Sequence, residues 1–128
     1  HFYKRNERQR SASNTLIDFS NEIINVFKIR SYVFQAEVEF WSLANQDDEI
    51  RDRSQELYEK IINLFELVLK KGIREGEFNS FDTRSTAISI LSIFQGINWF
   101  CIFNDSKLNA EIYIHNSINI IIKGLSKL

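Results

Sequence analysis

The stretch that decides the fold runs from Asp47 to Gly76, DDEIRDRSQELYEKIINLFELVLKKGIREG. Asp47 is a good N-cap, and Asp48 and Glu49 follow in the first turn, where negative charge favours the helix dipole. Ile50, Leu57, Ile61, Leu64 and Val68 form an apolar stripe. Asp52, Glu56, Glu59, Asn63, Glu66 and Lys70 form a polar one, in alternating steps of 4 and 3. Glu56 with Lys60, and Glu66 with Lys70, stand four apart in the order that supports a helix. Lys70, Lys71 and Arg74 suit its C-terminal end, and Gly76 can take the left-handed cap. The pattern predicts one helix from about Asp47 to Glu75.

The rest of the chain has the same character. Among 128 residues there are four glycines and no proline, and the Asn-Gly and Asp-Gly pairs that close hairpins are missing. The fold class is all-α, in one domain over residues 1–128. From Ala12, Leu16, Phe19, Ile23 and Phe27 mark an amphipathic helix. Near Arg30 and Ser31 the pattern changes phase; Ser31 caps a second helix, or one helix bends, and the sequence leaves both open. Phe34, Val38, Trp41 and Ala44 share a face of the segment after it. Asp82 caps a helix to about Phe103, and a last helix runs from about Ala110 to Lys127. The loop between these two is short and polar, which makes them neighbours.

Charge limits the function. Sixteen basic residues against seventeen acidic, with 44% hydrophobic content, exclude a disordered tail. They also argue against a domain that grips nucleic acid alone. The opening HFYKRNERQR is basic and reads, over residues 1–11, as a solvated tail or the end of a linking helix. Cys101 has no cysteine partner, and no leader pattern opens the chain, so a cytoplasmic protein is expected.

Ser85 to Asn104 and Ile112 to Ile122 carry no charge, although a helix on the surface of a globule shows water a charged face. Three arrangements would account for this. A transmembrane hairpin is disfavoured by Ser85, Thr86, Ser89, Ser92, Gln95, Asn98, His115, Asn116 and Asn119, which are expensive in lipid. Complete burial of two helices asks much of 128 residues. The reading that fits best is that each helix buries one face in its own subunit and another against a second copy, as an intersubunit four-helix bundle. Ser85, Ser89, Ser92 and Gly96 line up as a stripe of small residues. Ala110, Ser117 and Gly124 make another, with Ile114 and Ile121 between. These nine are the expected dimer interface, against the plainer reading that serines bond back to their own helix.

No catalytic constellation appears: no P-loop, no nucleophile elbow, and neither His1 nor His115 has a metal-ligating neighbour in sequence. No enzyme activity, metal or cofactor is expected. The aromatic content is heavy. Phe34, Glu37, Val38 and Trp41 on one segment, Tyr58, Ile62 and Phe65 on the long helix, and Phe94 and Asn98 on the uncharged one are candidate ligand-binding residues. They serve equally as core, and both can hold for one cavity wall. Glu37 on an aromatic face hints at a cationic ligand.

The run EVEFWSLANQDDEIRDRSQELYEKIINLFELVLKKGIREGEF, then Asp82 and STAISILSIFQGINWF, resembles the C-terminal domain of TetR-family transcriptional regulators. The likeness rests on the Asp47-Asp48 pair after an aromatic helix, the Leu57-Tyr58 step, the ending around Gly72 and Glu75-Gly76-Glu77-Phe78, and Gln95-Gly96 within an Ala87-containing helix. It implies a five-helix effector-binding and dimerisation domain, with the last two helices forming the dimer bundle. It also implies a small, often hydrophobic effector that controls a regulator, a repressor in kind. The family's N-terminal helix-turn-helix has no counterpart in this sequence, so operator DNA is expected only through such a separate domain, and no membrane is expected. The alternative is a helical homodimeric interaction module with a solid core.

Overall fold

The computed structural model describes residues 10–103 and 109–127. Its helices are α1 (Ala12–Arg30), α2 (Tyr32–Ala44), α3 (Asp48–Arg74), α4 (Thr83–Gln95), α5 (Asn98–Ile102) and α6 (Ala110–Leu125). Because α5 continues α4 after a two-residue break, these amount to the five helices expected. Among the described residues the only extended pairing is an isolated bridge between Phe78 and Ser126.

Side-chain caps place the helix starts. Ser11 accepts the N–H of Asn14, Asp47 those of Glu49 and Ile50, Asp82 that of Ser85, and Asn109 that of Ile112. Ser31 makes no such bond and lies in the helical region itself. It separates two helices, which resolves the question the sequence left open. The basic opening lies outside the described residues except for Arg10, which pairs with Asp18.

Helix α3 is central and packs against α1, α2 and α4, while α6 packs on α1 and α4. Its inner face is Ile62, Phe65, Leu69 and Gly72, not the stripe read from sequence, and Leu57 and Leu64 are exposed. The apolar arc of α3 is wide, and three helices converge on its middle, which leaves those two leucines at its edge. Helix α1 differs in the same way. Ala12, Leu16, Ser20 and Ile24 face inward at every fourth position, while Phe19, Ile23 and Phe27 are partly buried against the core. Part of the polar stripe on α3 is covered by α4: Glu66 accepts from Thr83 at 2.8 Å, and Arg84 lies against Glu59 and Glu66.

One boundary is corrected. The helix expected from Asp82 to Phe103 stops at Gln95 and resumes at Asn98. Tyr113 of α6 donates its hydroxyl to the Ile93 carbonyl at 2.6 Å, and a Cβ at Gly96 would run into that same hydroxyl. The backbone tightens there into short-range bonds, with Ile97 donating to Phe94 and Trp99 to Gly96. The stretch Thr83–Ile102 is long and apolar enough to cross a membrane by length and composition. Here, however, Ala87, Ile90, Leu91, Phe94, Ile97 and Asn98 are packed into the core.

At the far end of α3 three segments meet. Gly76 takes the left-handed conformation expected, with φ 79°. Phe78 then folds back against Gly72, where any side chain would strike its ring. Glu77 accepts the N–H groups of Ala12 at 2.8 Å and Ser13 at 3.0 Å, capping α1 from another part of the chain. Lys127 N–H in turn reaches the Glu77 carbonyl, and Asn79 N–H reaches Leu125. Burial pushes the Glu77 carboxyl up, but the bonds from Ser13 and Ala12, with Lys71 nearby, outweigh it and hold the group below its ordinary value.

Candidate functional site

Helices α2 and α3 diverge to leave a groove of about 460 Å³. Helix α2 supplies Tyr32, Val33, Ala36, Glu37 and Phe40, and α3 supplies Arg53, Ser54, Leu57 and Tyr58. Both sets follow the i, i+1, i+4, i+5 spacing of one helix face. The wall is largely apolar, and several of its members, including Tyr32, Phe40 and Leu57, are well exposed. An apolar hollow with a few placed polar groups is the usual form of a small-molecule site.

The polar part of the site is a connected set of hydrogen bonds. Tyr58 donates to Glu37 Oε2 at 2.7 Å, and Asn98 Nδ2 donates to Glu37 Oε1 at 2.8 Å. Trp41 Nε1 donates to the Tyr58 hydroxyl at 2.8 Å. Burial, and then the Glu37 carboxylate accepting its proton, push the Tyr58 hydroxyl up to about 12, so it stays a neutral donor. Among the described residues no cationic side chain pairs with Glu37, and Arg53 across the groove pairs instead with Glu49 at 2.9 Å. A carboxylate hydrogen-bonded on both oxygens, with no cationic side chain beside it among the described residues, therefore faces an apolar hollow.

Of the nine candidate ligand-binding residues, Glu37 and Tyr58 line the groove, and Trp41 and Asn98 are bonded to them. Phe34, Ile62, Phe65 and Phe94 are buried in the core instead, with Phe65 and Phe94 packed edge to face at 5.7 Å. Val38 is partly buried and does not line the groove. Tyr32, Val33, Ala36, Phe40, Arg53, Ser54 and Leu57 were not among the candidates. Their signal was available in Tyr32, Val33, Phe40 and Leu57, large apolar side chains lying off the inner face of either helix.

The expected dimer residues divide as well. Ser85, Ser89 and Ser92 share an exposed face of α4 with Ile88. Ser89 and Ser92 bond back to the carbonyls of Ser85 and Ile88, so they ask nothing polar of a neighbour. Gly96 is turned inward beneath Tyr113, and Ala110 and Ile114 lie in the chain's own core. Ser117 and Ile121 are partly buried, and Gly124 is exposed with open space above it. The outward side of α6 carries Ile112, Asn116, Asn119 and Ile120, with both isoleucines more than 60% exposed. One face of each of these two helices is thus left in water by this chain alone. No group of His, Cys, Asp and Glu among the described residues could hold a metal ion.

The family model described as "QacR-like protein, C-terminal region" matches residues 3–127. The chain belongs to that family. It is a C-terminal domain of the TetR type, a class of regulatory domain that generally binds effectors and dimerises. No curated protein and no solved structure gives a match. The QacR-like assignment covers the groove, the Glu37 network and the exposed α4 and α6 faces together.

Proposed function

We propose that this chain is the ligand-sensing and dimerising region of a cytoplasmic transcriptional repressor. Its effector is a small, mainly hydrophobic molecule with a cationic group, bound between α2 and α3. Glu37 is the single observation that carries this reading. Among the described residues this partly buried carboxylate has two hydrogen-bond donors and no counter-ion, an arrangement that suits a cation arriving from the groove. The surrounding apolar wall would take the rest of such a molecule, and Tyr32, Phe40 and Tyr58 supply ring faces that suit a cation. Self-association uses the outward faces of α4 and α6, centred on Ile88, Ser89, Ser92, Ile112 and Ile120, so the pairing is a homodimer. Operator DNA is read by a helix-turn-helix domain outside this chain, and no membrane is involved.

The test uses a matched pair of probes, 4-phenylbenzamidine, a planar cation, and the neutral 4-phenylbenzamide. The amidinium should raise the melting temperature by mass action, and its affinity should exceed that of the amide by roughly tenfold or more, a carboxylate pair being worth about 1.5–3 kcal/mol. Glu37→Gln should erase most of that preference. Equal binding of both probes, or binding of neither, would overturn the proposal.

A further inference from the structure

Asn98 is 3% exposed, and its side-chain oxygen has no hydrogen-bond partner among the described residues. Its Nδ2 donates to Glu37 Oε1. Turning the amide over gives no relief, because that would set a carbonyl oxygen against a carboxylate and forfeit a charge-assisted bond. Among the described residues the buried amide depends on Glu37 alone. Asn98 is also the first residue of α5, and it stands two positions after the Gly96 break. There the α6 side chain of Tyr113 fills the space over Gly96 and holds the last turn of α4 through the Ile93 carbonyl. A groove residue, a half-satisfied buried amide and a blocked joint between the two outward-facing helices are therefore consecutive links of one structure.

We infer that Asn98 is a positioning residue that carries the state of Glu37 through the Gly96–Tyr113 joint into α4 and α6, an inference that rests on the reading of the groove and of the α4/α6 face given above. When the N–H groups of a bound cation draw the Glu37 carboxylate toward the groove and away from Nδ2, the Asn98 amide loses its described partner inside the core. A buried amide bonded at neither end is unfavourable, so α5 turns until the amide is satisfied again. Tyr113 leaves no room at Gly96 to absorb the turn, and the displacement passes to α4 and α6.

The experiment measures the self-association constant by analytical ultracentrifugation, with and without saturating 4-phenylbenzamidine, in the wild-type chain, Asn98→Leu and Tyr113→Phe. The wild type should show a change of about fivefold or more, the lower end of ordinary allosteric coupling. By reciprocity, the probe's affinity should differ by the same factor below and above the association midpoint. Each variant is judged by its own ratio, whatever its affinity. Asn98→Leu should bring the ratio within twofold of one, and Tyr113→Phe, which leaves the groove untouched, should at least halve it. In the wild type, hydrogen exchange at Asn98–Ile102 should change on adding the probe while that of α1 does not. An unchanged ratio in either variant, or unchanged exchange in α5, overturns the inference. If the wild type binds the probe and associates but the two are independent, the inference falls and the groove reading stands. If the probe does not bind, both fall.

Discussion

Replacing Glu37 and Asn98 singly and together isolates the energy of their contact. Glu37→Met removes the carboxylate while keeping the volume. It deprives Tyr58 of an acceptor and leaves the buried Asn98 amide bonded at neither end. An unsatisfied buried polar group costs about 1–3 kcal/mol and the lost Tyr58 bond about 1 more, so a total near 3 kcal/mol is expected. Asn98→Leu alone should cost only about 1 kcal/mol, because it takes from Glu37 one of two donors and the groove is open to water. In the Glu37→Met background the same Asn98→Leu change replaces an orphaned amide with an apolar group, and should be neutral or stabilising. The cycle therefore predicts a coupling of at least about 1 kcal/mol, read from urea midpoints at one protein concentration and constant slope. If Asn98→Leu costs the same in both backgrounds to within about 0.5 kcal/mol, the two side chains do not depend on each other and the reasoning fails.

Glu77, held below the ordinary carboxylate value of 4.5, contributes stability that is present above that value and drains away as pH falls through the lower folded one. Glu77→Gln should lose about 1 kcal/mol at pH 7 and show a flatter acid limb in a pH series of denaturation curves. A spectrophotometric titration near 295 nm should show a late tyrosine phase at about 12, which Tyr58→Phe removes; its persistence would assign the phase elsewhere. Gly96→Ala should cost about 1–2 kcal/mol by forcing the Tyr113 hydroxyl off the Ile93 carbonyl, and Tyr113→Phe in that background, which removes the atom the new Cβ would strike, should recover part of it. Ser89→Arg, on the open face of α4, should leave the melting temperature of the dilute chain unchanged while weakening self-association at least tenfold in sedimentation.

How much of this was legible beforehand can be argued residue by residue. The caps were readable because Asp47, Asp82 and Gly76 act within a turn of their own position, where sequence distance and spatial distance agree. The bare faces of α4 and α6 were readable from missing charge, since water demands polar side chains whatever the packing. The inner face of α3 was misjudged by about one position, because a wide apolar arc does not say which of its sides three other helices will choose. The break at Gly96 was not announced by the glycine alone, which a helix tolerates; it is Tyr113, seventeen residues away in sequence, that packs over it. For the site, Glu37, Trp41 and Tyr58 were visible as a polar group among rings at helical spacing. That Asn98 would reach Glu37 was not, since a bond across 61 positions depends on how α5 leaves the break. Phe65 and Phe94 show the converse: large rings at suggestive positions that simply fill the interior.

The knot around Glu77 has a mechanical consequence. Because the first turn of α1 is fastened to it by two N–H groups, a pull on Arg10 does not peel α1 away but loads the end of α3. That helix is a rod with no proline and only one glycine, and from Gly72 to Tyr58 it measures about 21 Å at 1.5 Å per residue. Rods of this kind transmit thrust with little compression. Whatever grips Tyr58 and whatever tugs at the first turn of α1 are consequently acting on the middle and the end of the same lever.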